Sequence, residues 1–387
     1  MTNSSNLTWA VDAPLYLEEH YGWMMVAALV IGAAAVLGTL GNMLIILSIC
    51  CVRALRTCGN VFILNLALAD LIVTVLIDPF NVVGAVAGRK ILMADYTLCD
   101  YIAAFCGPSC VSSMWNMCAI SINRYFYICK PHLYPRIFTF KTSIIYCAGI
   151  WLLAHLLHMP NHIGWGEDRF SREYYICTFD TITYAYDVFY IVTGVIIPLN
   201  GVLFGYAAIF FRVREVKQHI RNYKLANQLE RNGKAVLAAA KDPVFTVGEP
   251  EKMEIVVPRI RLQMPSFTRD DVKMVKTLFA AFFVFLGSWF LLVCFNLSGN
   301  PTSIPGWLYV VAMILAHGNS AVNPFLYSFT NEKFRDGYRA VLCMNRSRSS
   351  AIAGLVERDN IQSQKMAATG GSIAVSGPSS TLVVSKP

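Results

Sequence analysis

Two ionisable side chains stand inside long apolar stretches, where a charge is costly and therefore points to a functional role. Asp70 ends the string NLALAD, and Arg124 is the centre of Asn123-Arg124-Tyr125. A buried carboxylate can hold a cation or accept hydrogen bonds, whereas a buried guanidinium needs a carboxylate or backbone oxygens. Asn123 supplies no charge, so the partner of Arg124 must come from another part of the chain.

The carboxylate of Asp70 is expected to lie at the same depth as neutral oxygen ligands from two other apolar stretches. These ligands are Ser113, Asn319, Ser320 and Asn323. One interpretation is a sodium ion held by this set together with water, as an allosteric modulator. The other is a hydrogen-bonded polar core without an ion, and the spacing favours neither.

Two carboxylates can provide the charge that Arg124 needs. Asp270 and Asp271 come just before the sixth apolar stretch of the chain. We predict a pair between Arg124 and Asp271 in a resting state, which breaks when the stretch after Asp271 moves outward. The alternative is that Arg124 extends into phosphate headgroups, as arginines at helix ends commonly do.

The composition is that of a membrane protein. Of the 387 residues, 56% are apolar and 14% are charged, whereas a soluble domain carries roughly 25% charged residues. Seven stretches reach the roughly 20 residues that cross a bilayer as a helix. We number them helices 1 to 7 in chain order: Met24–Cys51, Val61–Val83, Tyr101–Ile128, Thr142–Gly164, Thr183–Phe211, Val272–Leu297 and Gly306–Phe329.

The distribution of basic residues predicts the orientation of the chain. Most of the 32 Lys and Arg lie in the first, third and fifth loops and in the C-terminal tail, which the positive-inside rule places in the cytoplasm. The N-terminus is therefore expected outside the plasma membrane. A nucleic-acid partner is not indicated, because the basic residues lie between apolar stretches and not on one polar domain.

These patterns divide the chain into four parts. They are an extracellular N-terminus at 1–23, a seven-helix domain at 24–329 with its cytoplasmic loop at 212–271, an amphipathic helix 8 at 330–343 and a disordered tail at 344–387. The predicted fold is an all-α membrane protein, a seven-transmembrane helix bundle with a short amphipathic eighth helix. We recognise no nucleophile with its base and no metal cluster in the spans, so no enzyme is expected.

Three covalent modifications are expected from the sequence. Cys99 at the outer start of helix 3 and Cys177 in the next outer loop both face an oxidising compartment, so they are the best pair for a disulfide. The triplets that begin at Asn3 and Asn6 are glycosylation acceptors on the same side. Cys343, at the end of the amphipathic helix, is a palmitoylation candidate.

Two membrane prolines are each followed by a tyrosine. In the string NPFLY, from Asn323 to Tyr327, Pro324 removes a backbone hydrogen bond and is predicted to kink helix 7. Pro198 and Tyr206 repeat the arrangement in helix 5. Together they indicate a bundle with two stable arrangements, in which the tyrosines change partners.

The ordered motifs resemble a rhodopsin-like (class A) G-protein-coupled receptor over nearly the whole chain. The motifs are Gly41-Asn42, NLALAD, Cys99 with NRY, Trp151, Pro198, Phe285 with Trp289, and NPFLY, one set in each successive helix. The resemblance implies an agonist, a heterotrimeric G protein of the inhibitory class, receptor kinases and arrestin as partners. It also implies a cytoplasmic crevice, lined by Arg124, Tyr206 and Tyr327, that accepts the Gα C-terminus.

Within that class, four strings are similar to the melatonin-receptor branch. They are NRYFYIC, YPRIF, Met159-Pro160-Asn161 and CTF at Cys177–Phe179. The resemblance implies that Asn161 contacts the ligand and that Phe179 stacks on it. It also implies that members of this branch have Asn at the position before this arginine. Asn123 would then restrain Arg124 less strongly than a neighbouring carboxylate would.

Several positions depart from that branch. The outer-loop Gln of the family has no match, Gly194 replaces its helix 5 His, and Pro324 stands where vertebrate members have Ala. Trp289 is followed by Phe290 instead of the usual helix 6 proline. These departures argue against melatonin itself as the ligand.

The inventory of the outer half predicts a small, largely neutral aromatic ligand in an apolar pocket. Its lining is expected to be Cys106, Asn161, His162, Phe179, Trp289, Asn296 and His317, with Asp78 adding one negative charge. A resemblance to amine receptors would require an aspartate where Cys106 stands. A resemblance to opsins would require a lysine in helix 7 that binds retinal as a Schiff base, and helix 7 contains none. A peptide ligand is the alternative, because the outer loop is acidic. A transporter or channel is a remote one, suggested by the intramembrane carboxylates.

Overall fold

The computed structural model describes most of the chain between the two terminal segments. The described residues are 14–87, 96–171, 176–180, 184–239, 269–298 and 304–342. The predictions for Asn3, Asn6, Cys343, the disordered tail and most of the loop at 212–271 lie outside these residues.

Seven long helices follow one another in the predicted order, with a short eighth helix after them. Helix 1 is Pro14–Cys51, helix 2 runs through Cys58–Ile72, Val73–Ile77 and Asp78–Ala87, helix 3 is Tyr96–Cys129, helix 4 is Phe140–His162, helix 5 runs through Tyr184–Ile191, Val192–Ile196 and Ile197–Ala239, helix 6 is Arg269–Ser298, helix 7 is Gly306–Thr330 and helix 8 is Glu332–Leu342. The predicted seven-helix bundle with an amphipathic eighth helix is confirmed. Helix 5 extends well beyond the predicted Phe211 because its polar continuation also forms helix.

Among the described residues, four helices are long and apolar enough to cross a membrane by length and composition alone. They contain Gly22–Cys51, Cys58–Val86, Phe140–His162 and Tyr184–Leu229, and Phe282–Ser298 is a shorter apolar helix. Helices 3 and 7 fall below this hydropathy because their inner faces are polar. Buried Ser112, Asn116, Asn319 and Asn323 are examples.

The outer face of the bundle is apolar, and its interior combines packed hydrophobic clusters with many buried polar side chains. Asn42, Asp70 and Asn116 are fully buried, whereas Leu29 and Phe204 expose more than two thirds of their surface. In water such an outer face would be a large exposed apolar patch that favours aggregation. In a bilayer the lipid tails cover this face, and buried polar groups such as Asp70 and Asn323 bond to each other inside the bundle.

Two of the seven helices contain one wide π turn each, and a proline follows each turn at the same distance. The π segment Val73–Ile77 precedes Pro79, and the segment Val192–Ile196 precedes Pro198. A proline has no N–H for the carbonyl four residues earlier, and its ring pushes that carbonyl away. The wider turn accommodates this local mismatch in both helices.

Helix 7 accommodates Pro324 differently, through helix 1. The carbonyl of Ser320, four residues before Pro324, accepts a hydrogen bond of 3.0 Å from Nδ2 of Asn42. A Cβ atom on Gly41 would lie 2.6 Å from Cβ of Pro324, so only glycine permits this approach. The Gly41-Asn42 motif therefore makes room for the proline and satisfies the carbonyl that the proline leaves without a partner.

A two-stranded hairpin covers the outer end of helix 3. Strand β1 is Glu167–Ser171 and pairs antiparallel with strand β2, Ile176–Asp180. The disulfide between Cys99 and Cys177 is present and joins β2 to helix 3, which confirms the predicted pairing. The hairpin itself was not expected from the sequence.

Candidate functional site

The carboxylate of Asp70 lies at the centre of a polar cluster between helices 2, 3 and 7. Its Oδ1 accepts from the hydroxyl of Ser113 at 3.2 Å, and its Oδ2 accepts from the amide of Asn323 at 2.8 Å. Ser320 is a further hydrogen-bond partner, and Asn319 is buried on the same helix. The predicted set is thus brought together, while a sodium ion in it stays a prediction.

The inner end of helix 3 buries Arg124, which is only 6% exposed. Neighbouring Asn123 donates to the hydroxyl of Tyr134, in the following loop, at 3.3 Å. This contact shows what the asparagine does in place of a carboxylate: it anchors helix 3 to the following loop. Within the described part of the chain, Nε of Arg124 makes no hydrogen bond.

Gly59 of helix 2 permits this close arrangement. A Cβ atom there would lie 2.9 Å from Oδ1 of Asn123 and 3.2 Å from Nη2 of Arg124. Both distances are shorter than an ordinary carbon contact. Gly59 was not singled out from the sequence, because a glycine near a helix start has no distinguishing signal when the facing helix is unknown.

Two tyrosines complete the inner surface around Arg124. Tyr206 and Tyr327 are both buried and lie near enough to Arg124 to interact with its charge. Tyr206 also contacts helix 6 through Phe279 and Phe282, with ring centroids 5.7 and 6.1 Å apart. The tyrosines therefore connect helices 5, 6 and 7 to the arginine of helix 3.

The remaining predicted switch residues are placed differently. Tyr125 faces helix 5, where its ring lies 6.2 Å from that of Phe204 and where it lines a groove of about 620 Å³. The first turn of helix 6 contains Asp271, but its side chain lies outside the described residues. The pair between Arg124 and Asp271 therefore stays a prediction.

A buried histidine–aspartate pair joins helices 2 and 7 in the outer half. Nδ1 of His317 lies 2.9 Å from Oδ1 of Asp78, and the amide nitrogen of Asn81 lies 3.1 Å from the same Nδ1. The carboxylate of Asp78, which was expected to add one negative charge to the pocket, is thus engaged with His317, and its contribution to ligand binding stays a prediction. A ligand contact by His317 would have to use Nε2.

A second polar group lies where helix 4 meets strand β1. The amide of Asn161 donates to Oδ1 of Asp168 at 2.9 Å, and Nε2 of His158 lies 3.2 Å from Oδ2 of the same carboxylate. Nδ1 of His162 is 3.9 Å from that Oδ2. Asn161 and His162 thus lie together, but the amide of Asn161 is held by Asp168.

His158 and Asp168 were not predicted as site residues, although one signal was present in the sequence. His158 and His162 form a His-x-x-x-His spacing at the end of helix 4, and together with Asp168 they make a group that could hold a metal ion. The contribution of Asp168 depends on how the hairpin folds back over helix 4. No local pattern in the sequence shows that.

The other predicted pocket residues are spread over helices 3 and 6. Cys106 is buried in helix 3. In helix 6, the ring of Trp289 stacks on that of Phe285 with centroids 6.0 Å apart, and Asn296 is partly buried about two turns further along the helix. Phe179 belongs to β2, opposite Asp168, but its side chain lies outside the described residues. Their contact with a ligand stays a prediction.

Comparison with known proteins gives a consistent result. The family described as "7 transmembrane receptor (rhodopsin family)" matches residues 41–327. Melatonin receptor type 1C of Gallus gallus is 29% identical over 83% of this chain and 82% of its own length, and melatonin receptor type 1A of Mus musculus is 28% identical over 91% and 88%. Dopamine receptor 1 of Drosophila melanogaster is 30% identical over 89% of this chain and 67% of its own.

A solved structure supports the same architecture. The crystal structure of squid rhodopsin superposes with a TM-score of 0.65 at 19% identity, covering 85% of this chain and 89% of that one. This likeness shows the fold. Together with the family match and the melatonin receptors, it means that the chain belongs to the rhodopsin family of seven-transmembrane receptors, which are multi-pass membrane proteins and not enzymes.

Proposed function

We propose that this receptor binds a small, largely neutral aromatic ligand in its outer half and activates a heterotrimeric G protein, of the inhibitory class, through outward movement of helix 6. The observation that carries the ligand class is the state of the carboxylates around Cys106. Asp78 and Asp168 are the acidic residues close enough to act on Cys106 electrostatically. Each lies within hydrogen-bond distance of a histidine.

This pairing disfavours a cationic ligand. An ammonium group entering the pocket would have to displace His317 or His158 from its carboxylate, in addition to losing its own hydration. A neutral aromatic ligand needs no such rearrangement, and the 28–29% identity to melatonin receptors supports the same class.

An aromatic amine is the second candidate, because Dopamine receptor 1 is 30% identical to this chain. One specific observation favours it: Asp187 of helix 5 is buried, and its Oδ1 makes no hydrogen bond with any described residue. An amine would bind this carboxylate, because Cys106 stands where an amine receptor would have an aspartate.

The activation step follows from the cover over Arg124. At 6% exposure, the guanidinium is inaccessible to a cytoplasmic partner. Movement of helix 6 separates Phe279 and Phe282 from Tyr206 and opens a crevice at the inner end of helix 3. An agonist that binds the open arrangement more tightly shifts the population toward it. Receptor kinases and arrestin are proposed to follow at the same face.

A ligand screen on the full chain in cells tests the proposal. The panel contains neutral indoles and other neutral aromatics, aromatic amines, and peptides, with inhibition of stimulated cyclic AMP as the readout. We expect a response to a neutral aromatic compound that Asn161→Ala and Phe179→Ala weaken and that Asp187→Asn leaves unchanged. A response confined to amines and lost in Asp187→Asn would favour the second candidate.

Peptide activation alone would overturn the small-molecule proposal. A second-messenger response of another type, with no fall in cyclic AMP, would contradict the inhibitory class while leaving the ligand proposal standing. Surface expression of each variant has to match that of the parent, because a receptor that does not reach the membrane gives no response for a trivial reason.

A further inference from the structure

We propose that the outer end of helix 4 and strand β1 form a binding site for a divalent transition metal, with Zn²⁺ as the best-suited ion. The ligands are Nε2 of His158, Nδ1 of His162 and Oδ2 of Asp168. All three ligand atoms lie within 4.8 Å of one another. The proposal does not depend on which agonist the receptor binds.

The distances fit a tetrahedral ion. Zinc bonds to imidazole nitrogen and carboxylate oxygen are about 2.0–2.2 Å long, which places neighbouring ligand atoms about 3.3–3.6 Å apart. The His158–Asp168 distance is 3.2 Å and the His162–Asp168 distance is 3.9 Å. The two histidine nitrogens lie within 4.8 Å of each other, so they must approach by up to about 1.5 Å to reach tetrahedral spacing, a movement that the exposed side chain of His162 can provide.

The sequence places the two imidazoles for this purpose. Residues four apart on a helix lie on the same face, and the ring centroids of His158 and His162 are 5.4 Å apart. The side chains of His158 and Asp168 are 2% and 3% exposed, whereas that of His162 is 53% exposed. The site thus has two fixed ligands and one that can adjust, with access from the outer solution.

Two neighbours hold the fixed ligands in position. The amide of Asn161 donates to Oδ1 of Asp168, which leaves Oδ2 turned toward the histidines. Support of a ligand from a second shell of this kind strengthens metal binding. On the other side, Gly107 of helix 3 is so close to Nδ1 of His158 that a Cβ atom would lie 2.8 Å from it.

An unsatisfied atom gives a separate indication. Nδ1 of His158 is buried and makes no hydrogen bond with any residue in the described part of the chain. The hydroxyl of Tyr190 borders the same Gly107 at 2.7 Å from that hypothetical Cβ. When Nε2 binds a metal, the ring proton resides on Nδ1.

The ligand set selects the type of ion. Two imidazoles and one carboxylate suit Zn²⁺ and its transition-metal neighbours, whereas Ca²⁺ and Mg²⁺ require oxygen ligands throughout. Three protein ligands leave a fourth position for water. The charges of Asp100 and Glu167 lie near the site and add negative potential, which attracts a cation.

Metal binding would attach the outer hairpin at a second point. Strand β2 is already joined to helix 3 by the disulfide at Cys177, and the metal would join β1 to helix 4 through Asp168. Because Asn161 shares that carboxylate, occupancy of the site would also fix the amide that the agonist is proposed to contact.

The test uses the purified full-length receptor in nanodiscs, stripped of metal with a chelator and without any agonist. Zn²⁺ is titrated while thermal unfolding and heat of binding are measured, and Co²⁺ reports the coordination geometry by its visible absorption. We expect saturable binding that raises Tm, and a Co²⁺ spectrum typical of four ligands. His162→Ala should weaken binding at least tenfold with little effect on folding, since the side chain is exposed.

The matched control is His155→Ala. His155 is an exposed histidine of the same helix; its Nδ1 lies 2.9 Å from the carbonyl of Trp151, and its ring lies 6.1 Å from that of Trp151. It should bind Zn²⁺ as the parent does. If His162→Ala and Asp168→Asn bind Zn²⁺ as tightly as the parent, the binding belongs to other groups and the proposal is overturned. Absence of binding in the parent overturns it as well.

Discussion

Gly59→Ala is the sharpest test of how Arg124 is held, because the atoms nearest to the added methyl group belong to Asn123 and Arg124. Its Cβ would lie 2.9 Å from Oδ1 of Asn123 and 3.2 Å from Nη2 of Arg124, where ordinary contact begins at 3.4 Å. The overlaps are about 0.5 and 0.2 Å. Both side chains must therefore shift, and the guanidinium is pushed from its buried position.

The size of the effect follows from the cost of overpacking, about 1–3 kcal/mol in a well-packed core. Both atoms that are hit belong to side chains that can rotate, so we expect the lower half, about 1–2 kcal/mol. If Arg124 leaves this position when helix 6 moves out, the cost falls on the closed arrangement alone. The closed-to-open ratio then falls by a factor of about 5–30.

The assay is agonist-free nucleotide exchange on a purified G protein, with receptor amount normalised by surface labelling. Gly59→Ala should raise basal exchange severalfold and keep the full agonist response. Gly149→Ala is the matched control, because a Cβ atom there meets nothing within 4 Å. Basal exchange in Gly59→Ala equal to that of the parent, at equal receptor amount, would refute the idea that burial of Arg124 restrains the receptor.

Three other changes test the remaining contacts. Asp70→Asn keeps the side-chain size but removes the charge, so replacing sodium by a large organic cation should no longer change agonist affinity; a preserved sodium effect would place the ion elsewhere. Cys177→Ser should lower stability by roughly 2–5 kcal/mol, read as a lower Tm, and an unchanged Tm would mean that other contacts hold β2. His317→Ala leaves Asp78 buried without its partner and should cost about 3–5 kcal/mol. Adding Asp78→Asn should restore part of that loss, and no recovery in the double variant would show that the two residues are not coupled.

Features that depend on the length of apolar segments and on the depth of residues in the membrane were predictable from the sequence. The apolar runs defined all seven helices, because only a helix of about this length satisfies its own backbone across a bilayer. The disulfide at Cys99 followed from the predicted orientation, and the cluster around Asp70 followed from matching depths in three helices. Each inference needed only the position of a residue along one helix axis.

Features that depend on how elements approach each other were not predictable. Asp168 reaches His158 only because the hairpin folds back onto helix 4. The strand register that places Asp168 beside this helix cannot be read from a local sequence pattern. The role of Asn123 was equally hidden, since its partner Tyr134 belongs to the next loop. The π turn before Pro79 reflects a choice between bending a helix and widening it, which composition does not decide.

Helix 8 is wedged under the inner end of helix 7. The ring of Tyr327 stacks on that of Phe334 with centroids 5.3 Å apart, and the hydroxyl of Tyr338 donates to the carbonyl of Pro324 at 3.3 Å. Gly337 lets the same helix press against Leu55 of the loop after helix 1, since a Cβ atom there would lie 2.8 Å from it. Tyr327 can rotate only if its ring separates from that of Phe334. Interactions that hold helix 8 against the lipid surface therefore also raise the free-energy cost of this rotation.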